Sequence, residues 1–301
     1  MGFEELLKKQ CKKCTKGTLK TYLTSIRRLY HLEFEGEVPT DGKWLNSSKL
    51  FEKYKKIPVN IRRHLSTGAI KALQAYDMDT KKWYKSFMDD QAEYTKQRAK
   101  HEKTPNEKKK WTSVKQLKKA ATDLKKRFRY ILEAPPTLKN LYKIQWWLVI
   151  KLFTQIPVRN DFPTLRLKKS DNGNYVIRPK KGAYTFVFQS FKNSDKLGTR
   201  EIKLSRSLTM AVRKFLKYRA GIEDLDHDHL LTGKRGKPMS KGSFGKTLRN
   251  MTLELLGKKI GSRIIRVVVA TEYKELIEKA AELSAKFLHG QKRTADYIRK
   301  D

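Results

Sequence analysis

Residues 101–110, His-Glu-Lys-Thr-Pro-Asn-Glu-Lys-Lys-Lys, carry no apolar side chain. Such a stretch has nothing to bury, so the apolar residues on either side of it must build cores without its help. Its composition reads as a basic linker over residues 104–112, between a domain at 1–103 and another at 113–301. A solvated loop inside one domain is the alternative. At 301 residues with 38% hydrophobic content, the chain is long enough for one large or two medium domains.

Before the break, the periodicity is helical. Residues 18–30 place Leu19, Tyr22, Leu23, Ile26, Leu29 and Tyr30 on one stripe, with Lys20, Arg27 and Arg28 facing away. A loop around Gly36, Pro39 and Gly42 leads to a second helix at 47–56, Pro58 opens a third over 59–76, and a fourth runs from 80 towards 98. After the break, residues 113–132 and 138–154 read as helices separated by Pro135-Pro136. The pattern then switches to period two with β-branched and aromatic residues, predicting antiparallel strands at 175–178, 184–191 and 200–204. Helices resume at 207–219, 241–256, 266–271, 274–288 and 294–299. The fold class is therefore mainly α with a small antiparallel β-sheet.

Lys plus Arg number 69 against 31 Asp plus Glu, a formal charge of +38. That excess opposes compactness through self-repulsion and is best explained by a polyanionic partner, nucleic acid first. No apolar run approaches the ~20 residues of a membrane span, and the chain is polar by Lys8, which reads as no secretory signal. Only two cysteines are present, which points to a reducing, intracellular compartment and free thiols. Cys11-Lys-Lys-Cys14 has the spacing of half a zinc knuckle, but His31 is the only nearby further ligand and a tetrahedral site needs about four. His227-Asp-His229 sits in an acidic loop and reads as a turn before a short strand at Leu230-Leu231. The loop Gly233-Lys-Arg-Gly-Lys-Pro238 lacks a trailing Gly-Lys-Ser and reads as a basic loop on a DNA backbone.

Five features of the second half occur in a particular order. Arg159 follows a hydrophobic helix, Lys192 lies in the turn between the second and third strands, and Arg263 and Arg266 precede Val-Val-Val-Ala270-Thr271. His289 and then Thr294-Ala-Asp-Tyr297 close the chain. This order resembles the catalytic domain of tyrosine recombinases, the phage-type integrases, over residues 113–301, with the upstream helices similar to the family's core-binding domain. The resemblance implies a site-specific recombinase that cleaves and rejoins double-stranded DNA through a 3′-phosphotyrosyl intermediate. Tyr297 would be the nucleophile, Arg159 and Arg266 the donors to the scissile phosphate, Lys192 (or Lys196 in the same turn) the acid for the leaving 5′ oxygen, and His289 a further donor. No cofactor or metal is implied. The partners implied are duplex DNA, held between the two domains, and further copies of the chain in a dimer or tetramer.

Three positions depart from the family pattern. Asp161 comes two residues after Arg159 where relatives place an acid three on; Arg263 stands where they have His; and His289 precedes Tyr297 by eight residues rather than nine. Arginine is not a base at neutral pH, so the tyrosine proton would pass to water, the phosphate or another residue. Only four residues follow Tyr297, so the tail that relatives exchange between subunits is missing from this sequence, through trimming or because the assembly is held another way.

The chemistry fits the residue types. A phenol with a pKa of ~10 needs deprotonation or transition-state help. Two guanidinium forks supply fixed donors for charge on a pentacoordinate phosphorus, and a lysine in a turn can serve as acid. Lys108, Lys109, Lys110, Lys234, Arg235, Lys237 and Lys241 are expected phosphate-backbone contacts. Two rival functions remain: a type IB topoisomerase-like relaxing enzyme, and a degenerate relative that binds DNA without cleaving it. The lysine-rich composition and divergent motif resemble an integrase of a virus, virophage or mobile element, which would act in a host nucleus or viral replication compartment.

Overall fold

The computed structural model describes residues 3–286 except Lys13, Thr40 and Asp224; His289, Tyr297 and the helix expected at 294–299 lie outside the described residues. The chain is mostly helical with a three-stranded antiparallel sheet. It divides into two compact units, Met1–Lys103 and Thr104–Asp301.

In the first unit, helices α1 (Phe3–Gln10), α2 (Lys16–Tyr30), α3 (Ser48–Lys55), α4 (Val59–Ala75) and α5 (Lys81–Ala99) surround a core of Ile26, Leu29, Leu45, Leu50, Leu65 and Trp83. Local chemistry sets the starts: the Thr15 hydroxyl accepts from the Thr18 N–H at 3.2 Å, Ser47 accepts from Leu50 at 3.1 Å, and Pro58 stands at the entrance to α4. Helices α2 and α4 cross closely at Gly68, where a Cβ would come within 2.7 Å of the Ser25 Cβ. The buried carboxylate of Asp90 accepts from the Tyr54 hydroxyl and from Arg62 Nε at 2.8 Å. Burial, followed by that carboxylate, pushes the Tyr54 phenol up to about 12.

Cys11 and Cys14 are disulfide-bonded rather than free. The chain turns at the end of α1, with the Cys14 N–H donating to the Cys11 carbonyl, and that turn brings the two Cα atoms to 5.3 Å. This is within the range a disulfide spans.

The second unit contains α6 (Pro105–Lys110), α7 (Val114–Arg127), α8 (Arg129–Glu133), α9 (Leu138–Phe153), β1 (Tyr175–Ile177), β2 (Thr185–Phe188), α10 (Ser194–Leu197) and β3 (Arg200–Lys203). It ends with α11 (Arg206–Ala220), α12 (Lys241–Leu256), α13 (Ser262–Glu272) and α14 (Lys274–Lys286). The sheet order is β1-β2-β3, with Phe186 opposite Val176 on one side and Ile202 on the other. Helix α9 is apolar nearly all round and forms the centre of the core, as such a helix must. The polar interruption in its sequence has a function: buried Gln145 donates to the Thr232 carbonyl at 2.8 Å and accepts from its N–H at 3.0 Å, satisfying both backbone polar groups of that residue.

Several expectations change. Residues expected to form a linker belong to the second unit, where Pro105–Lys110 is a short helix with a full capping box between Thr104 and Glu107. Helix α13 starts four residues earlier than the periodicity predicts, at Ser262, so Arg263 lies on it as well as Arg266. Leu230-Leu231 is not a strand; isolated bridges form instead at His229 and Thr232. The β2–β3 connection carrying Lys192 holds the short helix α10 instead of a simple turn. No helix among the described residues is long and apolar enough to cross a membrane.

Candidate active site

Pro157 breaks the chain out of α9, and the Val158 N–H closes a tight turn onto the Ile156 carbonyl at 2.8 Å. The segment that follows, Arg159-Asn160-Asp161, is fastened at two points. Asn160 Oδ1 accepts from the Ser262 hydroxyl at 2.8 Å, at the first residue of α13. Buried Asp161 accepts from Lys241 Nζ at 2.6 Å, at the first residue of α12. Gly245 permits this meeting: a Cβ there would stand 2.9 Å from Asn160 Nδ2. Ser262 and Arg266 are four residues apart on one helix, so they share a face. The structure thus brings the Arg159 segment to the helix face that carries Arg266.

The cations at this junction fall into two groups. Lys241 is neutralised by Asp161, and Arg263 donates to the buried carboxylate of Glu107 at 3.0 Å. Arg159 and Arg266 are half-buried and form no hydrogen bond or ion pair with a described residue. A half-buried guanidinium without a carboxylate is costly to keep and is ready for an external anion. Arg249 is a third cation here, its side chain passing 3.8 Å from where a Cβ on Gly245 or on Gly261 would sit. Sequence reading missed it because nothing distinguishes it among 69 basic residues.

Lys192 is exposed, and the structure shows no direct link from it to the arginines. It is tied to them indirectly through Asn174, which is 2% exposed. Asn174 Oδ1 accepts from the N–H groups of Gln189 and Ser190, both at 2.8 Å, while Nδ2 donates to the Ser190 carbonyl at 2.9 Å and Thr164 Oγ1 at 2.6 Å. All of its amide hydrogen-bonding capacity is therefore used to anchor the chain just before Lys192 to the turn just after Asp161. An Asn in a Gly-containing turn carries no sequence signal for this role.

The expected backbone contacts are distributed unevenly. Lys108 and Lys109 are exposed on α6, and Lys110 is half-buried. Lys234 and Arg235 are exposed on the 233–238 turn, Lys237 is paired with Asp226 at 2.9 Å, and Lys241 is committed to Asp161. His227 and His229 form no metal site: among the described residues no three His, Cys, Asp or Glu side chains converge. Arg219 donates to the His227 carbonyl at 2.5 Å and approaches Nδ1 at 3.3 Å, while the His229 N–H donates to the same Nδ1 at 3.1 Å. Two donors on Nδ1 place the neutral ring's proton on Nε2. Burial first, then the Arg219 charge, hold His227 below the ordinary histidine range, and burial does the same to His229.

No protein-family model matches the chain, and no curated protein sequence matches it. Among solved structures, one titled "Crystal structure of XerA recombinase" aligns with 99% of this chain and 93% of its own length. The identity is 12% and the TM-score 0.38, a likeness too loose to carry a functional argument.

Proposed function

We propose that this protein is a DNA strand transferase of the tyrosine recombinase type. One observation carries the reading: Arg159 and Arg266, far apart in sequence, are linked through the Asn160–Ser262 hydrogen bond and have no carboxylate partner among the described residues, while their neighbours Lys241 and Arg263 are neutralised. Two such guanidinium groups would grip the non-bridging oxygens of one phosphodiester and stabilise the charge that grows as Tyr297 attacks phosphorus. The phenol passes its proton to water or to the phosphate as its oxygen bonds to phosphorus, the 5′ oxygen leaves with a proton from the Lys192 ammonium, and a 5′-hydroxyl later reverses the step. The phosphotyrosyl link conserves the bond energy, so no nucleotide hydrolysis is needed.

The Arg263–Glu107 pair favours a second reading, a relative that binds DNA without cutting it. Where the family has a histidine, this chain uses its residue to hold α6. The two readings separate on a nicked suicide duplex carrying random flanking sequence, with trapped protein–DNA adducts resolved on a denaturing gel. Strand transfer predicts an adduct with the wild-type chain and none with Tyr297→Phe. Binding without any adduct, under conditions where the complex is saturated, supports the second reading instead.

A further inference from the structure

The second unit contains a cleft of about 440 Å³, within the range of small-molecule sites, that shares no residue with the arginine junction. Phe128, Tyr142, Trp146 and Met251 wall it, and Arg127, Lys143 and Lys234 stand at its rim. Trp146 is 6% exposed, yet its indole N–H donates to no described residue. The rim carries one carboxylate, Glu254, and it is already paired with Arg127 at 3.1 Å. The uncommitted charges are the two lysines. Lys234 Nζ lies 5.8 Å from the centroid of the Tyr142 ring, so aromatic surface and cation adjoin.

We propose that this cleft binds a nucleotide, its base against Tyr142 and Trp146 and its phosphate on Lys143 and Lys234. Aromatic walls with a cationic edge match the way unpaired bases are held elsewhere: the ring stacks, the backbone meets the charge. A planar base also carries acceptors that the Trp146 N–H could meet at the cleft wall. An acidic peptide would satisfy the lysines but leave the aromatic walls and the indole donor unused. The ligand could arrive free, as a mononucleotide, or as an unpaired nucleotide within a strand. The inference is independent of strand transfer, because it involves neither Tyr297 nor the junction arginines.

The test uses the full chain and 2-aminopurine, whose fluorescence is quenched by stacking. One arm titrates 2-aminopurine 5′-monophosphate; the other titrates a duplex with a single bulged 2-aminopurine, against the same duplex with that base paired. Saturable quenching of the free or the bulged probe, absent for the paired base, supports the site and identifies the source. Lys143→Gln/Lys234→Gln, both exposed positions, should weaken it on the order of tenfold, as should Tyr142→Leu. No saturable quenching in either arm overturns the proposal. So does quenching that both variants leave unchanged, or a probe displaced as readily by a poly-glutamate peptide as by unlabelled AMP. Because no covalent adduct is read, failure here leaves strand transfer standing, and failure of strand transfer leaves this site standing.

Discussion

The Asp90 cluster of the first unit and the Arg159 junction of the second handle buried charge in opposite ways. Around Asp90 each charge is matched: Arg62 bridges Asp90 and Glu93 at 2.8 and 2.7 Å, and the Tyr54 hydroxyl completes the carboxylate's shell. Around Arg159, Asp161 and Glu107 are used on Lys241 and Arg263, while Arg159 and Arg266 pair with no described residue. The first arrangement holds helices together and the second awaits an anion. In a chain of net charge +38, a surface cation says little. An unmatched half-buried one, beside matched neighbours, says much more.

That contrast can be broken in graded steps. The largest stability effect belongs to Asp90→Ala, which leaves Arg62 with Glu93 alone of its two carboxylates and takes the acceptor from the buried Tyr54 hydroxyl; it should lower the stability of the first unit by ~3 kcal/mol, read as a shift of its denaturant midpoint. By contrast, Arg159→Ala or Arg266→Ala should leave the melting temperature within a degree or two, yet lower the strand-cleavage rate on the order of 10²–10³-fold. A melting shift as large as that of Asp90→Ala would mean these arginines are structural after all. Gly245→Ala comes next. Its Cβ meets Asn160 Nδ2 at 2.9 Å and should displace the Arg159 segment, reducing cleavage roughly tenfold with DNA affinity nearly unchanged.

A smaller effect involves pH. His227 and His229 are held below the ordinary 6.5, so the unfolded chain takes up protons first as pH falls through that value. The second unit should therefore be fully stable above about pH 6.5 and lose stability below it. His227→Asn, which retains an acceptor near the Nδ1 position, should flatten that decline in thermal melts between pH 7.5 and 5.5. An undiminished slope would place the titration elsewhere.

Legibility in the sequence followed the range of the forces involved. The α2 stripe and the first and third strands came through within a residue or two, because side-chain periodicity is local; the second strand ends three residues early. Helix α6 did not. Its Thr104-x-x-Glu107 capping box is readable, but no apolar periodicity accompanies it, and what anchors it is Arg263, 156 residues away. Asn174 and Arg249 were invisible for the same reason: the partners of the first and the neighbours of the second are assembled by the tertiary fold. The arginines were picked out by order along the chain, a resemblance of pattern, and their lack of partners among the described residues could be seen only in three dimensions. The Cys11–Cys14 bond was misjudged because composition speaks to compartment, whereas the turn after α1 decides whether two sulfurs meet.

The central claim is that Arg159 and Arg266 act on one phosphate. A double-mutant cycle on the rate of covalent adduct formation tests it most directly, comparing Arg159→Ala, Arg266→Ala and the double variant with the wild-type chain. If both guanidinium groups serve one transition state, the double variant should be little slower than either single variant, with Arg263→Ala far less affected than both. Losses that multiply independently, or single variants that cleave at the wild-type rate, would contradict the account.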